Sequence, residues 1–237
     1  MTAIRAVVFD MYETLVANTP SLWIATFQEI CQDQGLPLSG QELWERWKPI
    51  EMQFRKDRLQ PDAEGKPPAF KSYRQAWKEA FESVFLQLGQ GDADTAAGRS
   101  VLDQGIRQLF PETKRVIATL RDTGKFKLGL LSNTDDDALF PLLEKHRLCF
   151  DSTVTSEGAK AYKPLPGPFL LVLEALDLPA EACLYVGDTQ LDDVYGAKNV
   201  GMRCAWLNRW GASLDPALPS PDYEVNDLSG LLRILNI

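Results

Sequence analysis

Short apolar runs that end at polar residues alternate with amphipathic segments over the second half of the chain, and this alternation limits the possible folds more than any other feature. The first run is residues 4–9 (IRAVVF), which ends at Asp10. Strands that alternate with helices of about ten residues form parallel sheets, because each parallel connection needs a crossover. We therefore predict an α/β fold with a doubly wound, Rossmann-like parallel sheet. The further predicted strands are residues 128–131, 152–155, 183–186 and 203–207.

The alternation is interrupted directly after the first predicted strand. Between residues 21 and 109, apolar and aromatic residues recur at spacings of three and four, as in Trp23, Phe27 and Ile30. This spacing is typical of helices that bury one face. We predict a core formed by residues 1–16 and 110–237, with an all-helical cap domain inserted at residues 17–109.

The net charge of −8 restricts the partners of this chain. An acidic chain without a basic run is not expected to bind nucleic acid or an anionic membrane surface. An anionic substrate would need a local cation, either a metal ion or a positioned lysine or arginine. The chain has no apolar stretch of the ~20 residues that span a bilayer and no signal-peptide pattern at its start, so we expect a cytoplasmic protein. We further expect a monomer or a homodimer.

Polar side chains follow several of the predicted strands. Asp10 follows the first strand, Ser132 and Asn133 the second, Lys163 lies in a loop after the third, and Asp188 follows the fourth. Ligands of open parallel sheets bind where the strands end. Two carboxylates, a hydroxyl and a lysine at this edge can perform covalent catalysis on an anion.

Four segments resemble the motifs of the haloacid dehalogenase superfamily, in the order in which that family has them. The resemblance covers the whole chain, and the predicted cap follows the first motif as it does in the family. It implies a hydrolase with an aspartate nucleophile and a small-molecule substrate. The four segments are FDMYETL at 9–15, LLSN at 130–133, SEGAKAYKPLPGPF at 156–169 and VGDTQLDDVYGAKNVGM at 186–202.

The resemblance implies a role for each residue at the sheet edge. Asp10 would attack the substrate and form a covalent intermediate that water hydrolyses. Lys163 would keep Asp10 ionised and offset substrate charge. Ser132 and Asn133 would donate hydrogen bonds to the substrate anion, as oxyanion donors do. Thr14 would either cap the following segment or hydrogen-bond the loop of the nucleophile.

The fourth motif implies a magnesium site. Asp188 would bind Mg²⁺ together with Asp10 and the backbone carbonyl of Tyr12, because Mg²⁺ prefers hard oxygen ligands. Asp193 would contact the metal through a water molecule, or would hold one of the residues that bind the metal. Asp192 would either assist or be solvated.

Two positions point to different branches of the family. Phosphatases of the family have a second aspartate, a general acid, where this chain has Tyr12, and tyrosine is typical of the 2-haloacid dehalogenases. A halide leaving group needs no proton. Asp188 indicates the opposite, because the dehalogenases work without metal and have small uncharged residues there. Two adjacent carboxylates need a cation between them to remain ionised.

The predicted cap offers three cations on one helical stretch. Lys48, Arg55 and Arg58 are candidates for holding a halogen, a phosphate or a carboxylate of the substrate, or are simply solvated. We favour a Mg²⁺-dependent phosphatase that acts on a small phosphorylated metabolite. The alternatives are an (S)-2-haloacid dehalogenase and a protein of this fold that binds a phosphorylated ligand with little turnover.

Overall fold

The structure is a computed structural model that describes residues 2–61, 63–66 and 68–237. The chain divides into two compact units. We call them the sheet unit (Met1–Ala17, Gln108–Asn133 and His146–Ile237) and the helical unit (Asn18–Arg107 and Thr134–Lys145). The division of function between a catalytic core at 1–16 and 110–237 and a cap at 17–109 stays a prediction. Among the described residues, we find no helix of the length and apolar character that crossing a membrane requires.

A six-stranded sheet forms the centre of the sheet unit, in the order β3-β2-β1-β4-β5-β6 with every neighbouring pair parallel. The predicted fold class, a doubly wound parallel sheet, is confirmed. β6 was not predicted, because its three residues follow a proline-rich stretch and show no run of apolar residues. The strands are β1 Ala6–Phe9, β2 Lys127–Ser132, β3 Ser152–Thr155, β4 Cys183–Gly187, β5 Arg203–Leu207 and β6 Tyr223–Val225.

Helices lie in the connections from β1 to β5, and the connection from β5 to β6 is irregular. Helices also form all the regular structure of the helical unit's described residues. The helices are α1 Pro20–Asp33, α2 Gly40–Asp57, α3 Tyr73–Leu88, α4 Ala93–Gln104, α5 Thr113–Asp122, α6 Asp136–His146, α7 Ser156–Ala159, α8 Pro166–Leu176, α9 Gly196–Asn199 and α10 Gly230–Ile234. Between β4 and β5, Gln190–Tyr195 form a π-helical segment that directly precedes α9.

The register of the central strand positions the polar residues at the sheet edge. Phe9 is paired with Leu130 on one side and with Val186 on the other. Residues 10, 131 and 187 are therefore level with one another, one step beyond these pairs. Asp10 donates its backbone N–H to the carbonyl of Val186 at 2.9 Å, which fixes the start of the loop after β1.

Aromatic rings fill the interior of the helical unit. Trp23 stacks on Trp47 at 5.4 Å between ring centroids and meets Trp77 edge-on at 5.1 Å, while Phe27 lies 5.2 Å from Phe81. All five rings are at most 7% exposed. Such pairs add about 0.5–1.5 kcal/mol each beyond the burial of their surface.

Side chains cap the starts of α2 and α3 in this unit. Ser39 and Glu42 form a reciprocal capping box at the start of α2. At the start of α3, the carboxylate of Asp135 accepts the backbone N–H groups of Tyr73 and Arg74 at 2.8 and 2.7 Å. Asp135 precedes α6, so this helix is held by the helical unit although it follows strand β2.

Candidate active site

Lys163 is the centre of the polar residues at the sheet edge. Its ammonium group is 2% exposed and donates to Asp10 Oδ1 at 2.7 Å, to Asp193 Oδ1 at 2.6 Å and to the hydroxyl of Tyr185 at 2.8 Å. An ammonium group has three protons to donate. Acceptors within the protein therefore take up all three protons, and Lys163 is in direct hydrogen-bond contact with Asp10.

Asp193 is held from both sides. Its Oδ1 accepts from Lys163, and its Oδ2 accepts the backbone N–H and the hydroxyl of Thr189, each at 2.9 Å. A Cβ at Gly187 would overlap the carboxyl group of Asp193, so only glycine at the end of β4 lets this side chain approach. The π-helical segment presents Asp193 toward the strand end, and such segments are frequent at functional sites.

Asp188 completes a cluster of three carboxylates. One oxygen from each of Asp10, Asp188 and Asp193 lies within 4.8 Å of the others. In the described part of the chain, no lysine, arginine or histidine is within ion-pair distance of Asp188. With one lysine and three ionised carboxylates, this group carries a net charge of −2.

This accumulation of negative charge alters the protonation of the carboxyl groups. Burial raises the pKa of Asp10 to about 6, with the Coulombic effects of Lys163 acting against it and those of Asp193 adding to it. Burial and the carboxylates of Asp193 and Asp10 raise the pKa of Asp188 well above its usual value. Burial alone would lower the pKa of Lys163, but Asp10 and Asp193 raise it well above its usual value. The lysine therefore remains charged.

The predicted substrate-anion donors both lie at this edge. Ser132 is 1% exposed, and its side chain lowers the pKa of Asp10 against the effect of burial. Asn133 donates its side-chain amide to the carbonyl of Lys163 at 3.1 Å and accepts the backbone N–H of Lys163 at 2.8 Å. The amide of Asn133 also lies 3.2 Å from Asp192 Oδ2. Asn133 thus braces the lysine, and its contact with a substrate stays a prediction.

The loop after β1 contains the other two candidates. The hydroxyl of Thr14 lies 3.4 Å from Asp188 Oδ1, and its backbone carbonyl accepts from Arg209. Tyr12 is half-buried next to the nucleophile. The hydroxyl of Thr14 therefore connects the first motif with the fourth, and its two predicted roles stay predictions. The use of the Tyr12 carbonyl as a metal ligand stays a prediction.

The three candidate cations of α2 lie together in the helical unit. Lys48 and Arg55 both pair with Glu51, whose side chain is 1% exposed. Arg58 donates to the hydroxyl of Tyr73. Lys48 and Arg55 keep side-chain exposures of 31% and 38%, so each retains donor surface beyond its ion pair. Their contact with a substrate stays a prediction.

Two contributors to the site escaped the sequence analysis. Tyr185 accepts from Lys163 and donates to the carbonyl of Leu131 at 2.9 Å. A tyrosine inside a buried strand needs a partner for its hydroxyl, and that requirement is a readable signal. Arg209 follows β5 at the same sheet edge, where an arginine after an apolar strand is a comparable signal.

A buried lysine that holds an aspartate at the end of the central strand, beside two further carboxylates, defines a class of α/β hydrolases with a carboxylate nucleophile. The sequence model described as haloacid dehalogenase-like hydrolase matches residues 4–201. The chain therefore belongs to the haloacid dehalogenase-like hydrolases, and the resemblance noted from its four motifs is confirmed.

Relatives of the chain include both kinds of hydrolase that the motifs indicate. The chain is 24% identical over 240 residues to haloacetate dehalogenase H-2 from Moraxella sp. (strain B), with 100% of both chains covered. It is 28% identical over 242 residues to phosphoglycolate phosphatase from Photorhabdus laumondii, with 100% of this chain and 94% of the relative covered. The structure of the HAD-hydrolase YfnB from Bacillus subtilis bound to magnesium superposes with a TM-score of 0.79 at 22% identity, with 100% of both chains covered, and shares the fold.

Proposed function

We propose that the chain is a Mg²⁺-dependent phosphohydrolase that uses Asp10 as its nucleophile on a small phosphate ester. The observation that carries this proposal is the cluster of Asp10, Asp188 and Asp193 around a single lysine. Lys163 contacts two of the three carboxylates, but its single positive charge offsets only one of the three negative charges, and in the described part of the chain no cation pairs with Asp188. An anionic substrate would add to this excess, so the site needs a further positive charge.

The donor set fits Mg²⁺. Asp10 Oδ2 and the carboxylate of Asp188 accept from neither Lys163 nor Thr189, and the carbonyl of Tyr12 is a third candidate ligand. Both oxygens of Asp193 are already engaged, so Asp193 would hold Lys163 and not the metal. A bound Mg²⁺ would offset the charge of Asp10 and of the substrate phosphate together.

The chain's own residues account for the transfer of the phosphoryl group. Asp10 attacks phosphorus, the bond from phosphorus to the alcohol oxygen breaks, and the leaving alkoxide takes a proton from water. A further water molecule then hydrolyses the acyl phosphate, which releases phosphate and restores the carboxylate of Asp10. Lys163 holds the attacking carboxylate in place and in its charged form. Ser132 favours the charged form of the same carboxylate, because its side chain lowers the pKa of Asp10.

A 2-haloacid dehalogenase is the second candidate function. Tyr12 supports it, because a tyrosine at this place in the first motif resembles that branch and supplies no carboxylic acid to the leaving group. The similarity to haloacetate dehalogenase H-2 supports it as well. Halide leaves without a proton, so this reaction needs neither the general acid nor the metal.

Replacement of Asp188 separates the two functions. We expect the parent protein to release phosphate from esters such as 2-phosphoglycolate only with Mg²⁺ present, and to bind Mg²⁺ in calorimetry. Asp188→Ala and Asp188→Ser should both abolish phosphate release and calorimetric Mg²⁺ binding. Asp177→Asn is a matched control, because Asp177 lies exposed at the end of α8 in the same unit and should change neither.

The opposite result is equally specific. Release of halide from 2-chloropropionate in the presence of a chelator, without phosphate release from any ester, would reject the phosphohydrolase. In that case Asp188→Ser should work as well as the parent or better, because one repulsive charge beside Asp10 is removed.

A further inference from the structure

The end of β5 and the residues that follow it contact both loops that carry the candidate catalytic carboxylates. The indole of Trp206 donates to the backbone carbonyl of Asp188 at 2.7 Å. Arg209 donates to the backbone carbonyl of Thr14 at 2.9 Å. The indole of Trp210 donates to Glu13 Oε2 at 3.1 Å. One short segment thus binds the loop after β1 at two residues and the loop after β4 at one.

Arg209 is held by two further partners. Its side chain is 9% exposed and forms an ion pair with Glu112 at 2.7 Å. Its guanidinium lies over the ring of Phe110, 3.7 Å from the centroid. A planar guanidinium can stack on a ring and donate in two directions at once, which an ammonium group cannot. Arg209 is therefore held rigidly while it donates to Thr14.

The loop that Arg209 holds is strained. Glu13 has a φ of 60°, in the left-handed region that non-glycine residues rarely adopt. This conformation costs about 1–2 kcal/mol for an ordinary residue and persists where surrounding contacts impose it. Arg209 and Trp210 contact Thr14 and Glu13, the two residues at this turn.

We propose that Arg209 is a positioning residue for the nucleophile: its donation to the Thr14 carbonyl holds the strained loop of residues 10–16 and so sets the direction of the Asp10 carboxylate. The proposal rests on the proposed use of Asp10 as nucleophile and not on the choice between phosphate ester and haloacid. Arg209 itself touches neither Asp10 nor the metal ligands' side chains.

Hydrogen exchange of the free protein tests the proposal without any substrate. In Arg209→Lys, the amides of residues 10–17 should exchange several-fold faster than in the parent, because lysine keeps the charge near Glu112 but loses the planar fork and the stacking on Phe110. Arg203→Lys is a matched control. Arg203 also donates to backbone carbonyls, those of Thr2 and Glu181, but at the opposite end of β5.

Steady-state kinetics of the same variants distinguishes positioning from general stability. Arg209→Lys should lower kcat by about 10-fold and leave KM unchanged, and Arg209→Met should approach the ~10²-fold loss typical of a displaced reacting group. Arg203→Lys should keep the parent kcat. Should Arg209→Lys fold poorly, Glu112→Gln removes one partner of Arg209 at a 15% exposed side chain and should show the same pattern more weakly.

Two results would overturn the proposal. Unchanged exchange at residues 10–17 in Arg209→Lys and in Glu112→Gln would show that the guanidinium does not hold the loop. Faster exchange with an unchanged kcat would show that the loop does not set the direction of Asp10. Absence of phosphate release by the parent would instead reject the proposed phosphohydrolase and leave the exchange result valid.

Discussion

The sheet unit and the helical unit both bury ionised groups, but they do so in opposite ways. In the sheet unit a lysine is enclosed and two carboxylates surround it, all under 10% exposed. In the helical unit the carboxylate of Glu51 is enclosed, and its two cations are 31% and 38% exposed. Lys163 meets partners 153 and 30 residues away, whereas Glu51 meets partners three and four residues away on its own helix.

The contrast shows which charges solvent can replace. Lys48 and Arg55 reach water, so losing Glu51 lets them be hydrated. Asp10 and Asp193 do not, so losing Lys163 leaves two carboxylates without a cation in a place that water hardly reaches. Removing one partner of a buried ion pair costs more than the pair itself stabilises, because the remaining charge is uncompensated.

Lys163→Met should have the largest effect, because it removes the enclosed cation of the sheet unit. We expect the free energy of unfolding to fall by roughly 3–5 kcal/mol, because Asp10 and Asp193 remain buried without their cation. Activity should fall by about 10²–10³-fold or more. Denaturant unfolding and steady-state kinetics measure both. Lys48→Met is the matched change in the helical unit, where a loss above about 1 kcal/mol would contradict the contrast.

Tyr185→Phe should have an intermediate effect. Lys163 would keep its two carboxylates but lose its third acceptor, and the carbonyl of Leu131 would lose its donor. We expect about 1–3 kcal/mol less stability and a lower kcat at unchanged KM. Tyr223→Phe on β6 is the control and should match the parent in both measurements. A parent-like Tyr185→Phe would mean that two acceptors suffice to hold the lysine.

Glu51→Gln should have the smallest effect, although it removes the enclosed charge of the helical unit. Glutamine keeps an acceptor for Lys48 or Arg55, and both cations reach solvent, so the loss of stability should be about 1 kcal/mol. We expect kcat to remain at the parent value. A rise in KM would support the predicted role of these cations in substrate binding, and a loss of stability as large as that of Lys163→Met would show that exposure does not set the cost.

Several elements of both units could be predicted because their signals are local. The apolar runs before Asp10 and Asp188 identify buried strands, and the acidic residue that ends each run lies at the carboxyl edge. The aromatic residues of the helical unit recur at helical spacing for the same local reason. The edge strand β6 and the π-helical segment were missed, since each is short and owes its form to neighbours.

The parallel sheet and the side chains at the ends of its strands could be predicted from the sequence alone, because burial patterns follow the repeat of each element along the chain. The atoms that these side chains contact could be identified only from the tertiary structure. Asn133 braces the backbone of Lys163, Tyr185 supplies the third acceptor, Arg209 donates to the backbone carbonyl of Thr14, and Asp135 caps α3. A hydrogen bond depends on distances and directions between elements far apart in sequence, and the pattern within one element contains no information about them.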